Sequence, residues 1–309
     1  MILTDLTVVV FCNKNDLYLT RICVASIRYF YPEVPVVLVK DFMNGNFSTK
    51  EIERIYNVKI YELGIRKFGW AAAKTFFLLR APTGKRYIIL DSDIVFTDPF
   101  LERVNSKLEN ADIVVSADYL EDPAEDWVKS IYFDIKKVKA YDPAYQYPGY
   151  FFNTGQLFIK GGAISAEQIG DLFSDRFPYW KKQDVFPVVD QSAYNYLFPK
   201  LQQEKKLRLA EDSFMIWSES STAKIISLKT IIDGNFNGGL IHWAGAKRTP
   251  VLKKMSKSDI LLFFQKEYYR KISFGRFKLL YRTGFFFLDS FIIRAKKKLH
   301  KNLKKFTSK

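Results

Sequence analysis

Residues 7–12 read TVVVFC, a β-branched and aromatic run with no charge in it. A strand with one wet face alternates apolar and polar residues, so an unbroken run marks a strand covered on both faces. Further strands are expected over residues 34–39, 58–61, 87–90, 113–116 and 152–159. Between them lie segments of helical spacing: 17–30, where Leu19, Ile22, Cys23, Ser26 and Ile27 recur, then 51–56 and 70–79. Strand alternating with helix predicts a right-handed parallel α/β sheet. Further helices are expected over 166–173 and 190–198, and a late strand edge over 238–243. Residues 119–150 are rich in Tyr, Pro, Asp and Lys with weak periodicity, and are expected as an irregular lid or insertion.

With 309 residues, 48% of them hydrophobic, the chain can bury one large core or two small ones. Its net charge of +15 is uneven. Residues 251–309 hold 17 lysines and arginines against three acids, whereas the first 250 hold 31 against 30. A neutral body over 1–250 and a basic segment over 251–309 therefore predict two different tasks. Cys12 and Cys23 sit in apolar contexts and read as buried free thiols of a reducing compartment. The opening MILTDLTVVVFCN lacks the basic region and cleavage site of a signal peptide. No stretch approaches the roughly 18 apolar residues of a membrane span. The expected location is the cytoplasm, peripherally on the inner face of the membrane.

Residues 87–96, YIILDSDIVF, place Asp91 and Asp93 inside an otherwise apolar stretch. Two unpaired charges there would cost several kcal/mol, so a cation must meet them. Three readings compete. The carboxylates could bond local backbone N–H groups in a turn. One could be a phosphotransfer nucleophile. Or both could hold Mn²⁺ or Mg²⁺, since residues two apart on an extended chain share a side. The chain has two histidines, and His300 lies in the lysine-rich tail. His242, in LIHWAGAK, reads either as a satisfied core residue or as a third ligand beside Asp91 and Asp93, a set that suits Mn²⁺. Lys247 or Arg248 could then pair with a phosphate. In α/β sheets ligands sit beyond the carboxyl ends of strands, where Asn13 to Asp16, Asp91 to Asp93 and Asp118 all fall.

Four stretches taken together, DSD at the strand end, FFNTGQLFI, DQSAYN and HWAGAK, resemble the retaining glycosyltransferases of family 8. Within that family the likeness is to the bacterial galactosyltransferases that build lipooligosaccharide, and it covers about residues 6–250. The resemblance implies a GT-A fold: a Rossmann-like mixed sheet flanked by helices, here followed by a basic, aromatic, helical tail. It implies that Asp91 and Asp93, with Ser92 between them, bind metal together with His242. It implies that Asn13, Lys14 and Asn15 lie where the family binds uracil and ribose, and Lys74 where a basic residue approaches donor sugar and phosphate. Asn153 would line the donor sugar site, and Asp118 would help bind donor or acceptor. Asp190 would bind sugar hydroxyls and Gln191 would lie under the reacting carbon, although an N-cap is the bland reading of Asp190. Lys247, after Gly245, would grip the diphosphate. The family's late His-x-x-Gly-x-x-Lys-Pro-Trp departs here to a lysine one position early, followed by Arg248. The Asp-Gln-Asp form becomes Asp190-Gln191-Ser192, and an acid after the first strand becomes Asn13-Lys14.

The activity so implied is metal-dependent transfer of a hexose from a nucleotide sugar, UDP-hexose by analogy, to a saccharide or lipid-linked acceptor in polysaccharide or lipopolysaccharide synthesis. Two rivals stay open: a nucleotidyltransferase, and a non-catalytic membrane-bound protein of the same fold that binds sugar nucleotides. The tail has three readings as well. No nucleic-acid motif accompanies its basic and aromatic residues, and a solvated lysine-rich helix is the bland option for Arg294 to Lys305. The third is an interfacial segment whose Phe and Leu enter an anionic membrane surface, and exposed Phe285-Phe286-Phe287 favour it.

Overall fold

The computed structural model describes residues 5–245 and 251–285. The chain divides into two compact units, Met1–Ala244 and Gly245–Lys309. The first unit begins with β1 (Leu6–Asn13), α1 (Leu17–Phe30), β2 (Val36–Asp41), α2 (Lys50–Tyr56), β3 (Lys59–Ile60) and α3 (Trp70–Arg80). It continues with β4 (Arg86–Asp91), β5 (Ile94–Phe96), α4 (Leu101–Lys107), β6 (Ile113–Asp118), α5 (Asp126–Ile131) and α6 (Ile135–Tyr141). Then come β7 (Phe151–Phe152), β8 (Gln156–Lys160), α7 (Ala166–Ile169), α8 (Val189–Gln203), β9 (Leu209–Asp212) and β10 (Met215–Trp217). Helices α9 (Ser221–Ile225) and α10 (Leu228–Ile232) precede β11 (Leu240–His242).

The main sheet is mixed rather than all-parallel. β1 lies parallel between β2 and β4, and β3 extends the sheet from β2. β8 runs antiparallel to both β4 and β6, and β9 runs parallel to β6. An apolar run reports burial on both faces and carries no sign of direction, so the reversed strand was invisible in the pattern. The run at 152–159 is also broken: β7 pairs Ala117 and Asp118 of β6, and residues 153–155 leave the ladder before β8 begins.

Residues 119–150 are not an irregular lid. They hold α5 and α6, bury Val128, Tyr132, Phe133, Val138 and Tyr145, and stack Tyr132 on Phe151 with centroids 4.4 Å apart. Each helix spans two turns or fewer, too short for a 3.6-residue period to register. The Asp134 side chain caps α6 by accepting the Lys136 N–H at 2.8 Å.

A second, three-stranded sheet positions the late histidine. β10 and β11 are parallel, and β11 is antiparallel to β5, with His242 opposite Ile94. Gly239 makes this possible. Its φ is +86°, and a Cβ there would lie 2.3 Å from the Phe214 carbonyl oxygen. Its N–H donates to Asp98 at 2.7 Å, and its carbonyl accepts from Thr97 at 3.0 Å.

The second unit contains α11 (Ser258–Arg270), and residues 275–285 are also helical. Among the described residues no helix is long and apolar enough to cross a membrane. The lysine-rich stretch Arg294 to Lys305, with Phe286 and Phe287, lies outside the described residues.

Candidate metal and sugar-nucleotide site

β4 ends at Asp91, Ser92 and Asp93 turn, and the chain then leaves the main sheet for the small one as β5. The antiparallel pairing of β5 with β11 continues through the Trp243 N–H, which donates to the Asp93 carbonyl at 3.0 Å. Two backbone ladders thus bring together side chains 149 residues apart: His242 Nε2 lies 3.1 Å from Asp93 Oδ1. One ligand atom each from Asp91, Asp93 and His242 lie within 4.8 Å of one another. Asp93 and His242 are buried, Ser92 is buried between the aspartates, and Asp91 is 23% exposed.

The cation that meets Asp91 inside the protein is Lys74 on α3. Its Nζ lies 2.9 and 3.0 Å from the two Asp91 oxygens, 3.0 Å from the Thr154 carbonyl and 3.4 Å from Asp190 Oδ2. The ammonium is only 1% exposed. Burial alone would lower its pKa, but Asp91 and Asp190 outweigh that, and the net shift is upward.

Asp190 is fully buried in the first turn of α8 and is not the N-cap, which is Val188. Its Oδ2 accepts from Thr154 Oγ1 at 3.2 Å and faces Lys74, while Oδ1 has no hydrogen-bond partner among the described residues. Burial lifts its carboxyl to about 6, with Lys74 pulling down and Asp91 pushing up. The neighbouring Gln191 uses both ends of its amide. Nε2 donates to the Phe152 carbonyl at 2.6 Å, and Oε1 accepts from Asn153 Nδ2, the Thr154 N–H and Thr154 Oγ1 at 3.2, 2.9 and 3.1 Å. Asn195, one turn on, also holds Phe152, donating to its carbonyl and accepting its N–H at 2.8 Å each.

α8 thus clamps the break between β7 and β8 beneath the aspartates. Asn153 Oδ1 accepts the Gly155 N–H at 2.8 Å, and the Gly155 carbonyl accepts from Asp91 N–H at 2.7 Å. A Cβ on Gly155 would lie 2.2 Å from His242 Cε1 and 3.0 Å from Asp91 Oδ2. Only a residue without a side chain lets this loop close against the site.

Asn13 ends β1, beside β4, and Lys14 and Asn15 follow it; Phe11 of β1 is level with Asp91. The Asn13 amide donates to Asp16 at 2.6 Å, and its oxygen accepts the Asn15 N–H at 2.8 Å and the Asn44 amide at 3.4 Å. Lys14 and Asn15 are exposed. Gly245 belongs to the second unit and has φ +68°. Lys247 and its alternative Arg248 lie outside the described residues.

Thr154, Asn195 and Trp217 escaped the sequence reading. Thr154 and Asn195 sit inside the FFNTG and DQSAYN stretches, but their roles are contacts across 37 to 43 residues. Trp217 closes MIW, a strand of three residues with no periodicity to read.

The donor set fits a divalent cation. Two hard carboxylates and an imidazole converge, and the buried His242 Nδ1 has no hydrogen-bond partner among the described residues. Asp91 and Asp190 share one ammonium, Lys74, at 2.9 and 3.4 Å, while Asp93 faces His242.

No family model matches the chain, and no curated protein matches it. Among solved structures, the bifunctional glycosyltransferase WbbM in its apo form superposes with a TM-score of 0.56 at 13% identity over 85% of this chain. The chain covers 49% of WbbM, about half its length. The galactosyltransferase LgtC, solved with donor and acceptor sugar analogues, gives a TM-score of 0.53 at 15% identity over 85% of this chain and 95% of LgtC. The glycosyltransferase GlyE of Streptococcus pneumoniae gives 0.50 at 14% identity, covering 84% of this chain and 59% of GlyE. The fold is that of the GT-A glycosyltransferases.

Proposed function

We propose that this chain is a metal-dependent glycosyltransferase that moves a hexose from a nucleotide sugar, UDP-hexose in the first instance, to a saccharide or lipid-linked acceptor. The observation that carries the reading is the convergence of Asp91, Asp93 and His242 at the rim of a GT-A sheet. A fold alone would not suffice. Bound there, Mn²⁺ or Mg²⁺ would neutralise the charge developing on a departing diphosphate.

The remaining roles belong to the chain's own groups. Lys74 holds Asp91 in place and partners Asp190. Asp190, buried and with one oxygen unpartnered among the described residues, is assigned to the sugar hydroxyls. Asn13, Lys14 and Asn15 are assigned to the base and ribose, Asn153 to the donor sugar, and Lys247 to the diphosphate. Gln191 is a poor nucleophile, and its amide oxygen already accepts three hydrogen bonds. Same-face attack therefore suits this site. The acceptor hydroxyl oxygen bonds to the anomeric carbon as the bond to phosphate breaks, and the hydroxyl proton passes to a phosphate oxygen of the leaving group. Configuration is retained. Incubation with a panel of UDP-hexoses is expected to give Mn²⁺-dependent turnover that a chelator stops. Failure of all of them with both Mn²⁺ and Mg²⁺ would sink the reading.

The tail is assigned to an anionic membrane surface on the cytoplasmic side, in keeping with a lipid-linked acceptor. Phe274, Phe277, Tyr281 and Phe285 recur at three- and four-residue spacing, and Phe274, Phe277 and Leu280 are 83%, 71% and 73% exposed. Lys271, Arg276, Lys278 and Arg282 lie among them. Apolar side chains can enter the headgroup boundary while the cations meet anionic lipid, each worth about 1 kcal/mol. The full chain should float with phosphatidylserine vesicles and stay down with neutral ones, and truncation after Pro250 should abolish flotation. Unchanged flotation of the truncated chain would refute the assignment.

A further inference from the structure

A metal-bound histidine is normally oriented by a hydrogen bond from its second ring nitrogen to a carboxylate, carbonyl or water. In His242, Nε2 is turned to Asp93, and the buried Nδ1 has no protein hydrogen-bond partner among the described residues. A packed neighbour can hold the ring as well. Trp217 is that neighbour. It ends β10 in parallel register with His242, and the two rings stack with centroids 6.0 Å apart and planes 12° apart. The indole is fixed in turn, since Trp217 Nε1 donates to Asp118 Oδ2 at 3.2 Å, at the end of β6. The Ser218 N–H donates to the His242 carbonyl at 3.0 Å, which locks the two backbones together. Across the ring edge, Gly155 closes on Cε1.

We propose that Trp217, anchored by Asp118, is the positioning residue that sets the His242 imidazole for the cation and so sets the metal affinity of the site. This rests on the metal-dependent reading given above. The planar stack limits rotation of the ring, and the indole N–H bond limits rotation of the indole. Orientation that other sites obtain from hydrogen bonding would be supplied here in part by an offset, near-parallel ring pair. Trp217 offers no ligand atom to a cation, since its indole N–H is a donor only. Its loss should therefore change how tightly metal is held more than how fast a metal-saturated enzyme turns over.

The test is Mn²⁺ binding to the full chain, followed by the electron paramagnetic resonance of free Mn²⁺, with wild type, Trp217→Leu, Trp217→Phe and Asp118→Ala. Trp217→Leu is expected to weaken binding about 10- to 100-fold, the range for partners of metal ligands. Trp217→Phe, which keeps a stacked ring but loses the bond to Asp118, should fall between it and wild type. Turnover assays should show the Mn²⁺ requirement of Trp217→Leu raised by a similar factor, with kcat at saturating Mn²⁺ within about threefold of wild type. A Trp217→Leu chain that folds and binds Mn²⁺ as wild type does overturns the inference. If that variant fails to fold, Asp118→Ala decides: weaker binding supports the inference and unchanged binding overturns it. Absence of Mn²⁺ binding by wild type would instead overturn the metal reading itself, so the two failures are distinguishable.

Discussion

Asp93→Asn should lower Mn²⁺-dependent turnover of a UDP-hexose by about 10²–10³-fold, the cost of removing one group that stabilises transition-state charge, while leaving the fold in place. Asparagine has the shape of aspartate and keeps an oxygen near His242 Nε2, 3.1 Å away in the native chain. The pairing of β5 with β11 runs through the Asp93 backbone carbonyl and the Trp243 N–H, so the substitution does not touch it. What disappears is one negative charge from a cluster suited to a dication. Circular dichroism and thermal melting without metal should therefore match wild type, and Mn²⁺ binding should weaken in step with turnover. A variant with near-native turnover would remove Asp93 from the metal site.

Lys74→Met should have the largest effect on stability. The ammonium is buried against Asp91 and Asp190, and methionine of similar length leaves both carboxylates without it. Removing one partner of a buried ion pair typically costs about 3–5 kcal/mol, a large share of the roughly 5–15 kcal/mol that holds a domain together. The penalty should depend on pH, with a sign that follows from Asp190. Its carboxyl sits at about 6 in the folded chain against 3.8 as its ordinary value. An acid raised in this way destabilises the fold progressively as pH rises from the lower value to the higher, and no further above it. Lys74 is the principal influence that pulls Asp190 down. Without it the folded value rises, and the destabilising window extends above pH 6. Urea unfolding of the metal-free chain should thus show a Lys74→Met penalty that is greater at pH 8 than at pH 5. A penalty below about 1 kcal/mol at pH 8, or one independent of pH, would mean the lysine is not the counter-ion of this pair.

Length, charge distribution and the apolar runs were enough to predict an α/β sheet, because burial on both faces leaves a local mark at each of β1, β2, β4 and β6. The Asp91–Asp93 doublet was also legible, since two carboxylates in a buried stretch demand a cation. Other features left no local mark. The reversal of β8 changes strand direction without changing burial, and α5 and α6 are too short for their period to be seen. Asp190 reads as a cap in one dimension, yet it lies inside the first turn of α8 and faces Lys74, 116 residues earlier in the chain.

The sequence by itself determined which groups were available: the carboxylates, a histidine outside the tail, the lysine of WAAAKTF and the glycines that permit close approach. Only the tertiary structure decided their partners. Lys74 meets Asp91 and Asp190, Gln191 grips the loop before β8, and Trp217 stacks on His242. The reason is physical. Residue type and spacing record local burial and conformational preference, whereas each of these contacts joins side chains brought together by strand pairing and helix packing over tens to more than a hundred residues.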